Sequence, residues 1–505
     1  KKNTRLILLA VLTLLMVGLL AVAASAATVD VYTNGETPAG GYDNFAGLCE
    51  DISLEGIDPA AITRIVINAD TEMAAADGTI NLSGLTLPVT IVGNGHTLKV
   101  SAAFTLPANV TIEGLNVYLS AVMNAGKKVT FDGGSITSGT EAGTPTRLFV
   151  INDAEAEIVG KNGFTMNVNK PSVEAIYLRR FKSVTFTNCA IETWGVAFIM
   201  NDDASNTGTL TLNNCTLNTG SGRKDYKWIH CGNSSRLAQV VVNGGTYYGK
   251  WHTAGARITI NSGTFESDED YMLSLGDGDV SGQYIINGGD FLMSDMTRSA
   301  VKVFYAYGAA KAGSYWAEED AEKAAIRILG GTFTVLGNGS VIDSSLAKYH
   351  IVIEDGTFTS KGGNKDGAML FRFRNASVGT NFIVRGGTFN NNGGWRGLFN
   401  AAGMNMIISG GNFTSNGRIF GMHDSDGGGY TLTISGGTFK STGAELIFLD
   451  GKNASKCGIT ISGGDFESTG SAVVKFGNAA YGATCKITGG TFTNPNGYIF
   501  VAAGA

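Results

Sequence analysis

Leu432-Thr433-Ile434-Ser435-Gly436-Gly437-Thr438-Phe439 is the stretch that decides the fold, because the chain repeats it. Before it stands Ile407-Ile408-Ser409-Gly410-Gly411-Asn412-Phe413. After it stand Ile459-Thr460-Ile461-Ser462-Gly463-Gly464-Asp465-Phe466 and Ile487-Thr488-Gly489-Gly490-Thr491-Phe492. The four Phe positions are 26, 27 and 26 residues apart. Upstream copies end at Phe389, Phe358, Phe333, Phe291, Phe265 and Tyr247, and degenerate ones at Leu217, Ile191 and Ile136. Their spacing runs from 18 residues, Tyr247 to Phe265, to 42, Phe291 to Phe333.

Each copy opens with a period-two strand, Leu432 and Ile434 on one side against Thr433 and Ser435 on the other. Gly-Gly then turns the chain where a positive φ is needed. Thr-Phe starts a second strand, and a third apolar strand follows, such as Leu446 to Leu449 or Val473 to Phe476. Such a unit cannot bury its apolar face alone, so the copies must stack. Leucine-rich repeats need a Leu-x-x-Leu-x-Leu pattern that is absent, and propeller blades repeat at about 40–45 residues. Helical solenoids need Ala, Leu and Glu where these segments carry Thr, Ile, Val and Phe. A parallel β-helix remains, an all-β solenoid of about 15 rungs of about 26 residues between Val92 and Phe492.

Composition agrees. Gly supplies 71 of 505 residues, twice the usual ~7%, and Pro only 7. Charged residues are 16% against about 25% in ordinary domains. This excludes a disordered chain, which needs high charge and few apolar residues, and collagen, which needs Gly at every third position. A net charge of −6 without a basic run argues against a nucleic-acid partner.

The run Ile91-Val92-Gly93-Asn94-Gly95-His96-Thr97-Leu98, with the Ile-x-Ile-x-Gly-Gly-Thr-Phe copies behind it, resembles right-handed parallel β-helix proteins of the pectate-lyase-like superfamily. It is most similar to the Gly-Gly-Thr-Phe repeat regions of secreted or surface proteins of Gram-positive gut bacteria. The resemblance covers about residues 90–505 and implies a right-handed coil. It implies little about function, since that superfamily holds lyases, hydrolases, adhesins and phage spikes.

Three segments are expected to depart from the repeat. Lys1, Lys2 and Arg5, the apolar Leu6 to Ala23 and the small Ala24-Ser25-Ala26 read as a secretory signal peptide over 1–26. Its removal takes the net charge from −6 to −9, and a secreted, extracellular or cell-surface protein follows. Residues 27–90 read as a cap region, with a short amphipathic helix over Gly41 to Glu50, and 91–505 as the β-helix. Tyr315 to Ala325 reads as a helical insertion that lengthens one rung. The missing initiator Met and an uncapped last rung, Tyr498-Ile499-Phe500-Val501, make a truncated sequence or further domains the expectation. End-to-end self-association through that open rung is a third reading.

The six cysteines include one matched pair. Cys189 and Cys215 fill the same repeat position, 26 residues apart, in Asn-Cys-Ala-Ile and Asn-Cys-Thr-Leu. Stacked rungs put their Cα atoms about 4.8 Å apart, within disulfide reach. The alternative is two buried thiols acting as small apolar residues. Cys457 and Cys485 fall two positions out of register. No Cys-x-x-Cys or paired His offers a zinc site.

Catalytic signals are thin. Asn201-Asp202-Asp203 slightly resembles the Asp pair of polygalacturonases, but that family also carries Gly-His-Gly and Arg-Ile-Lys. Here Gly95-His96-Thr97 is misplaced and Arg257-Ile258-Thr259 lacks the Lys. A polysaccharide lyase needs a group that neutralises a uronate carboxylate and a base. Asp277 and Asp279 in a Gly-rich turn are the candidate Ca²⁺ ligands, with a solvated turn as the alternative. His423-Asp424-Ser425-Asp426 is similar. Arg372, Arg374 and Lys475 alternate with apolar residues and read as outward-facing.

A binding cluster is clearer. Tyr226, Trp228, His230, Tyr248, Trp251 and His252 crowd two short rungs, and Trp228 and Trp251 are 23 residues apart. Stacked, exposed rings would suit sugar faces; the alternative is core packing. The expectation is a non-enzymatic surface β-helix that contacts an extracellular glycan or a host surface. A polysaccharide lyase or glycoside hydrolase is the runner-up.

Overall fold

The computed structural model describes residues 27–54, 56–74, 80–82, 84–139, 145–171, 173–200, 205–219, 227–232, 238–276, 279–280, 282–297, 301–307, 309–310, 324–345, 350–362, 369–373, 380–392, 397–401, 403–422, 429–450, 454–477, 480 and 482–502. Their regular structure is nearly all strand, paired in parallel from rung to rung, so the chain is a parallel β-helix. Two compact units divide it, residues 1–145 and 146–505.

The repeat shows why. Around the quoted stretch, Thr431–Ile434 is the first strand of a rung, Thr438–Ser441 the second and Ile447–Leu449 the third. The first pairs with Asn405–Ile408 before it and Gly458–Ile461 after it, residue for residue. Leu432 and Ile434 face the inside and are fully buried, while Thr431 and Thr433 face out. The kink between first and second strand needs both glycines. A Cβ on Gly436 would lie 2.5 Å from the carbonyl oxygen of Ser409 in the rung before. Gly437 sits at φ +104°, where a side chain is strained. The kink turns Phe439 inward, where it lies flat against Phe413 at 4.7 Å and Phe466 at 4.9 Å. This column continues through Phe265, Phe291, Phe333, Phe358 and Phe389, with neighbouring rings 4.5–4.9 Å apart.

Earlier copies solve the kink differently. Asn188 and Asn214 take the left-handed conformation at φ 53° and 51°, which Asn tolerates better than most side chains. Outside the kink the side chains of Asn213, Asn243, Asn261 and Asn287 form a ladder. The Nδ2 of Asn243, Asn261 and Asn287 each donates to the Oδ1 of the rung before at 2.6–2.8 Å, and that of Asn213 donates to Thr187 Oγ1 at 3.1 Å. The ladder crosses the short rung between Thr246 and Thr264 without a break, because the missing residues are taken from loops and not from strands.

In the first unit, parallel pairing starts where Arg64–Ile67 meets Val89–Val92. Its other edge is covered by the antiparallel strand Val29–Tyr32, which also pairs with Gly40–Tyr42. The expected cap helix is present over Phe45–Ser53, a few residues later than the composition suggested. Asn44 sets its start, its side chain accepting from the Gly47 N–H at 2.8 Å. Phe45, Leu48, Cys49 and Ile52 are its buried face. The insertion expected over 315–325 lies almost wholly outside the described residues; Ala324 and Ala325 lead into the strand Ile326–Ile328. The last strand, Tyr498–Val501, leaves Tyr498, Ile499 and Phe500 exposed.

Candidate functional site

The third strands carry the chemistry. In Phe371–Phe373 both Phe side chains are buried and Arg372 faces out. The ladder of the second unit sets one outer residue of each third strand above the next. The column runs Tyr177, Ile199, His230, His252, Ser274, Tyr305, Asp343, Arg372. The backbone register carries it on through positions 400 and 421 to Phe448 and Lys475. Outer positions of the first and second strands carry mostly Thr, Ser and Asn; this face carries rings and cations.

Three clusters stand along it. At one end the Arg147 guanidinium lies 3.6 Å from the centre of the Tyr177 ring and its Nε is 2.9 Å from Glu174 Oε2. In the middle, Lys250 Nζ is 3.2 Å from Asp270 Oδ1 and 3.6 Å from Glu269 Oε2, and Lys250 and Glu269 are buried. The same ammonium lies 5.1 Å from the Tyr271 ring, and Lys302 lies 4.8 Å from the Tyr305 ring. The rings of Tyr271 and Tyr305 are 5.9 Å apart, and Tyr307 continues the row 5.0 Å beyond Tyr305. Burial pushes the Tyr271 hydroxyl up, against the pull of Lys250, so it stays a neutral phenol. Further along, Arg418 lies 3.8 Å from the centre of the Phe448 ring and Lys475 5.5 Å from it. Both cations pair with Glu445, at 3.5 and 3.1 Å.

Between these clusters the column is polar and covered. His252 is fully buried, with Nδ1 2.7 Å from Ser274 Oγ and its ring edge-on to His230 at 5.0 Å. Asp343 is also buried, with Oδ2 3.7 Å from Arg372 Nη1. Rings with cations beside them can hold the apolar faces and the anionic groups of a sugar chain at once. Among the described residues no three His, Cys, Asp or Glu side chains converge on a metal-sized site.

The expectation that Trp251 belongs to an exposed aromatic platform is corrected. Trp251 faces the core, 1% exposed, edge-on to Tyr247 at 5.4 Å and Phe265 at 5.5 Å. In the backbone register Ile229 is the partner of Trp251 and Lys227 that of Lys250, so Trp228 is not paired with Trp251. The bulge at Trp228 breaks the count that the 23-residue spacing suggested, and the His pair is what comes into register. Tyr248 ends a second strand, where it pairs with Glu266. Burial and a hydrogen bond to Asp268 push its hydroxyl up. Tyr226 and Asp277 lie outside the described residues, as do Asp202, Asp203, Arg374 and His423 to Asp426. Asp279 is described only as backbone, in a two-residue strand paired with Ala309–Ala310.

Cys189 and Cys215 do stack, and both are buried thiols in this structure. Each Sγ is turned to a backbone carbonyl, Cys189 to Thr187 at 3.3 Å and Cys215 to Phe186 at 3.4 Å. Sequence reasoning missed Tyr271, Lys302, Tyr305, Asp343 and Phe448. The signal was alternation such as Phe371-Arg372-Phe373, which marks the outer residue of each third strand. No family model, curated protein or solved structure matches the chain.

Proposed function

We propose that this chain is a non-enzymatic, extracellular glycan-contacting protein whose contact surface is the outer face of its third strands. The observation that carries the reading is a row of rings on one face of an acidic chain, of which Tyr271, Tyr305 and Phe448 are half-buried with a cation beside each. An extended polysaccharide bearing carboxylate or sulfate groups suits such a row. Its sugar rings lie on Tyr271, Tyr305 and Phe448, and its anionic groups meet Lys302, Lys475 and Arg418. The regular rung spacing of about 4.8 Å gives a linear polymer repeated points of contact.

The test is a binding screen of the chain against polygalacturonate, a sulfated glycosaminoglycan and a neutral glucan, with and without Ca²⁺. Binding is expected to the two anionic polymers and to weaken as salt rises. Tyr305→Ala and Lys475→Ala should each weaken it by about tenfold, the size of one lost ring or cation contact. Trp251→Ala should lower stability without weakening binding where the fold persists. Equal binding to the neutral glucan, or unchanged binding in both outer-face variants, would overturn the reading.

One observation favours a second reading. His252 with Ser274 and Asp343 with Arg372 place proton-carrying groups in the same column as the rings. A lyase acting on a uronate chain uses such groups to neutralise a carboxylate and move a proton. Unsaturated product, followed by ultraviolet absorbance during the same screen, would establish that reading in place of the first.

A further inference from the structure

We infer that Cys189 and Cys215 are a redox pair that closes into a cross-rung disulfide when the chain folds under oxidising conditions. Ala190–Thr193 pairs in parallel with Thr216–Thr219 of the next rung, starting Ala190 opposite Thr216. The residues just before, Cys189 and Cys215, therefore face each other across one rung. The Thr216 N–H donates to the Cys189 carbonyl at 2.9 Å, which locks that register. Adjacent parallel strands lie about 4.8 Å apart, inside the range of about 4.4–6.8 Å that a disulfide spans between Cα atoms. Asn188 and Asn214 precede them with matching φ of 53° and 51°, so the two cysteines follow the same local backbone turn.

Both side chains are buried, at 2% and 0% exposure, in one corner of the core. Neighbouring Cys189, through its side chain and backbone, holds the Cys215 thiol below its ordinary range against the effect of burial. No other pair among the described cysteines shares a register. Cys231 sits between Met200 and Thr253, with its sulfur 3.6 Å from Met200 Sδ. Cys485 lies opposite Ile459 and not Cys457. Cys49 belongs to the cap helix.

The oxidant is an external disulfide, such as oxidised glutathione or the active-site disulfide of a thiol oxidoreductase. The thiolate of one cysteine attacks it, expels one thiolate and forms a mixed disulfide. The second thiolate attacks the protein sulfur of that bond and expels the other half. Two cysteine thiols lose two protons and two electrons, and the external disulfide becomes two thiols. The exchange belongs to the stage when this corner is still open, since the finished rungs bury both sulfurs. The bond then staples two rungs and closes a loop whose ends are 26 positions apart in the chain. None of this depends on the glycan reading.

The test refolds the full chain from denaturant in a mixed glutathione buffer and, in parallel, with excess reductant. Free thiols are alkylated after quenching in denaturant, and peptides are mapped by mass spectrometry. The expected result is one linkage, Cys189 to Cys215, with Cys49, Cys231, Cys457 and Cys485 alkylated. The oxidised chain should unfold at a higher denaturant concentration than the reduced one. Cys189→Ala and Cys215→Ala should each abolish both the linkage and that gain. Alkylation of all six cysteines in the wild-type chain, or a linkage to any of the other four, would overturn the inference whether or not the variants fold.

Discussion

Phe413 lies flat between two copies of itself, 4.5 Å from Phe389 and 4.7 Å from Phe439, with the ring planes within 4° in both contacts. Phe413→Ala removes both stacks and leaves a hole that the rungs cannot close, because their spacing is set by backbone hydrogen bonds. A buried Phe truncated to Ala costs about 3–5 kcal/mol. A loss of that size is expected in urea unfolding, and Phe413→Leu should recover part of it. A loss below about 1 kcal/mol would mean that the ring column is ornament and the strands alone hold the rungs. This role was legible, because Gly-Gly-Thr-Phe recurs at a near-constant spacing and only an inward residue needs such regularity. Trp251 was not. Its distance from Trp228 counts residues, whereas register counts hydrogen bonds, and the bulge between Lys227 and Ile229 separates the two. The neighbours Tyr247 and Phe265, both copies of the repeat's aromatic, already implied an inward ring that Trp251 would join.

The third strand is the element where fold and candidate site meet, and Glu445 shows how tightly its approach is built. Glu445 stands just before Ile447–Leu449 and takes Lys475 at 3.1 Å, Ser471 Oγ at 2.8 Å and Arg418 at 3.5 Å. Burial pushes its carboxyl up, but hydrogen bonds from its own backbone, Ser471 and Lys475 outweigh that, and the group lies below its ordinary value. A carboxyl lowered in the folded state stabilises the fold above its unfolded pKa of about 4.3, and that stability is lost as pH falls through the folded pKa. The difference in unfolding free energy between the wild-type chain and Glu445→Gln should therefore be constant near neutral pH. It should shrink below about pH 4.5. A difference that stays flat down to pH 3 would show that the cluster contributes packing and not charge. Cation–ring contacts in the same cluster predict that Phe448→Ala weakens the pairing as well. The existence of the third strands could be read from runs such as Val473 to Phe476. Their shared face could not, because rungs of 18 to 42 residues scatter the outer residues along the sequence. Only the ladder shows that Tyr305, Asp343 and Arg372 are neighbours, since loops of different length lie between them.

At the scale of the whole molecule the chain is two compact units, and within each a rung touches only the rung before and the rung after, so stability is a sum along a line and the ends matter out of proportion. The two described ends differ. At the first, Val29–Tyr32 runs antiparallel to Arg64–Ile67 and the helix Phe45–Ser53 covers the apolar interior with Phe45, Leu48 and Ile52. The strand satisfies one edge, and its opposite direction breaks the parallel pattern that a further rung would need. A row of unpaired N–H and C=O groups is a template for another chain. Deleting residues 27–62 should therefore do more than lower the unfolding midpoint. It should expose the edge of Arg64–Ile67 with Ile65 and Ile67 beneath it, and turn a dispersed protein into one that self-associates. Size-exclusion chromatography and light scattering over a tenfold range of concentration would show it. Deleting 484–502 is the matched control, because it removes one rung and leaves the preceding rung presenting an end of the same kind. The cap argument requires association to rise sharply in the first deletion and little in the second. Equal behaviour of the two would mean that the antiparallel strand is one more layer of the stack, and that what limits its growth lies elsewhere.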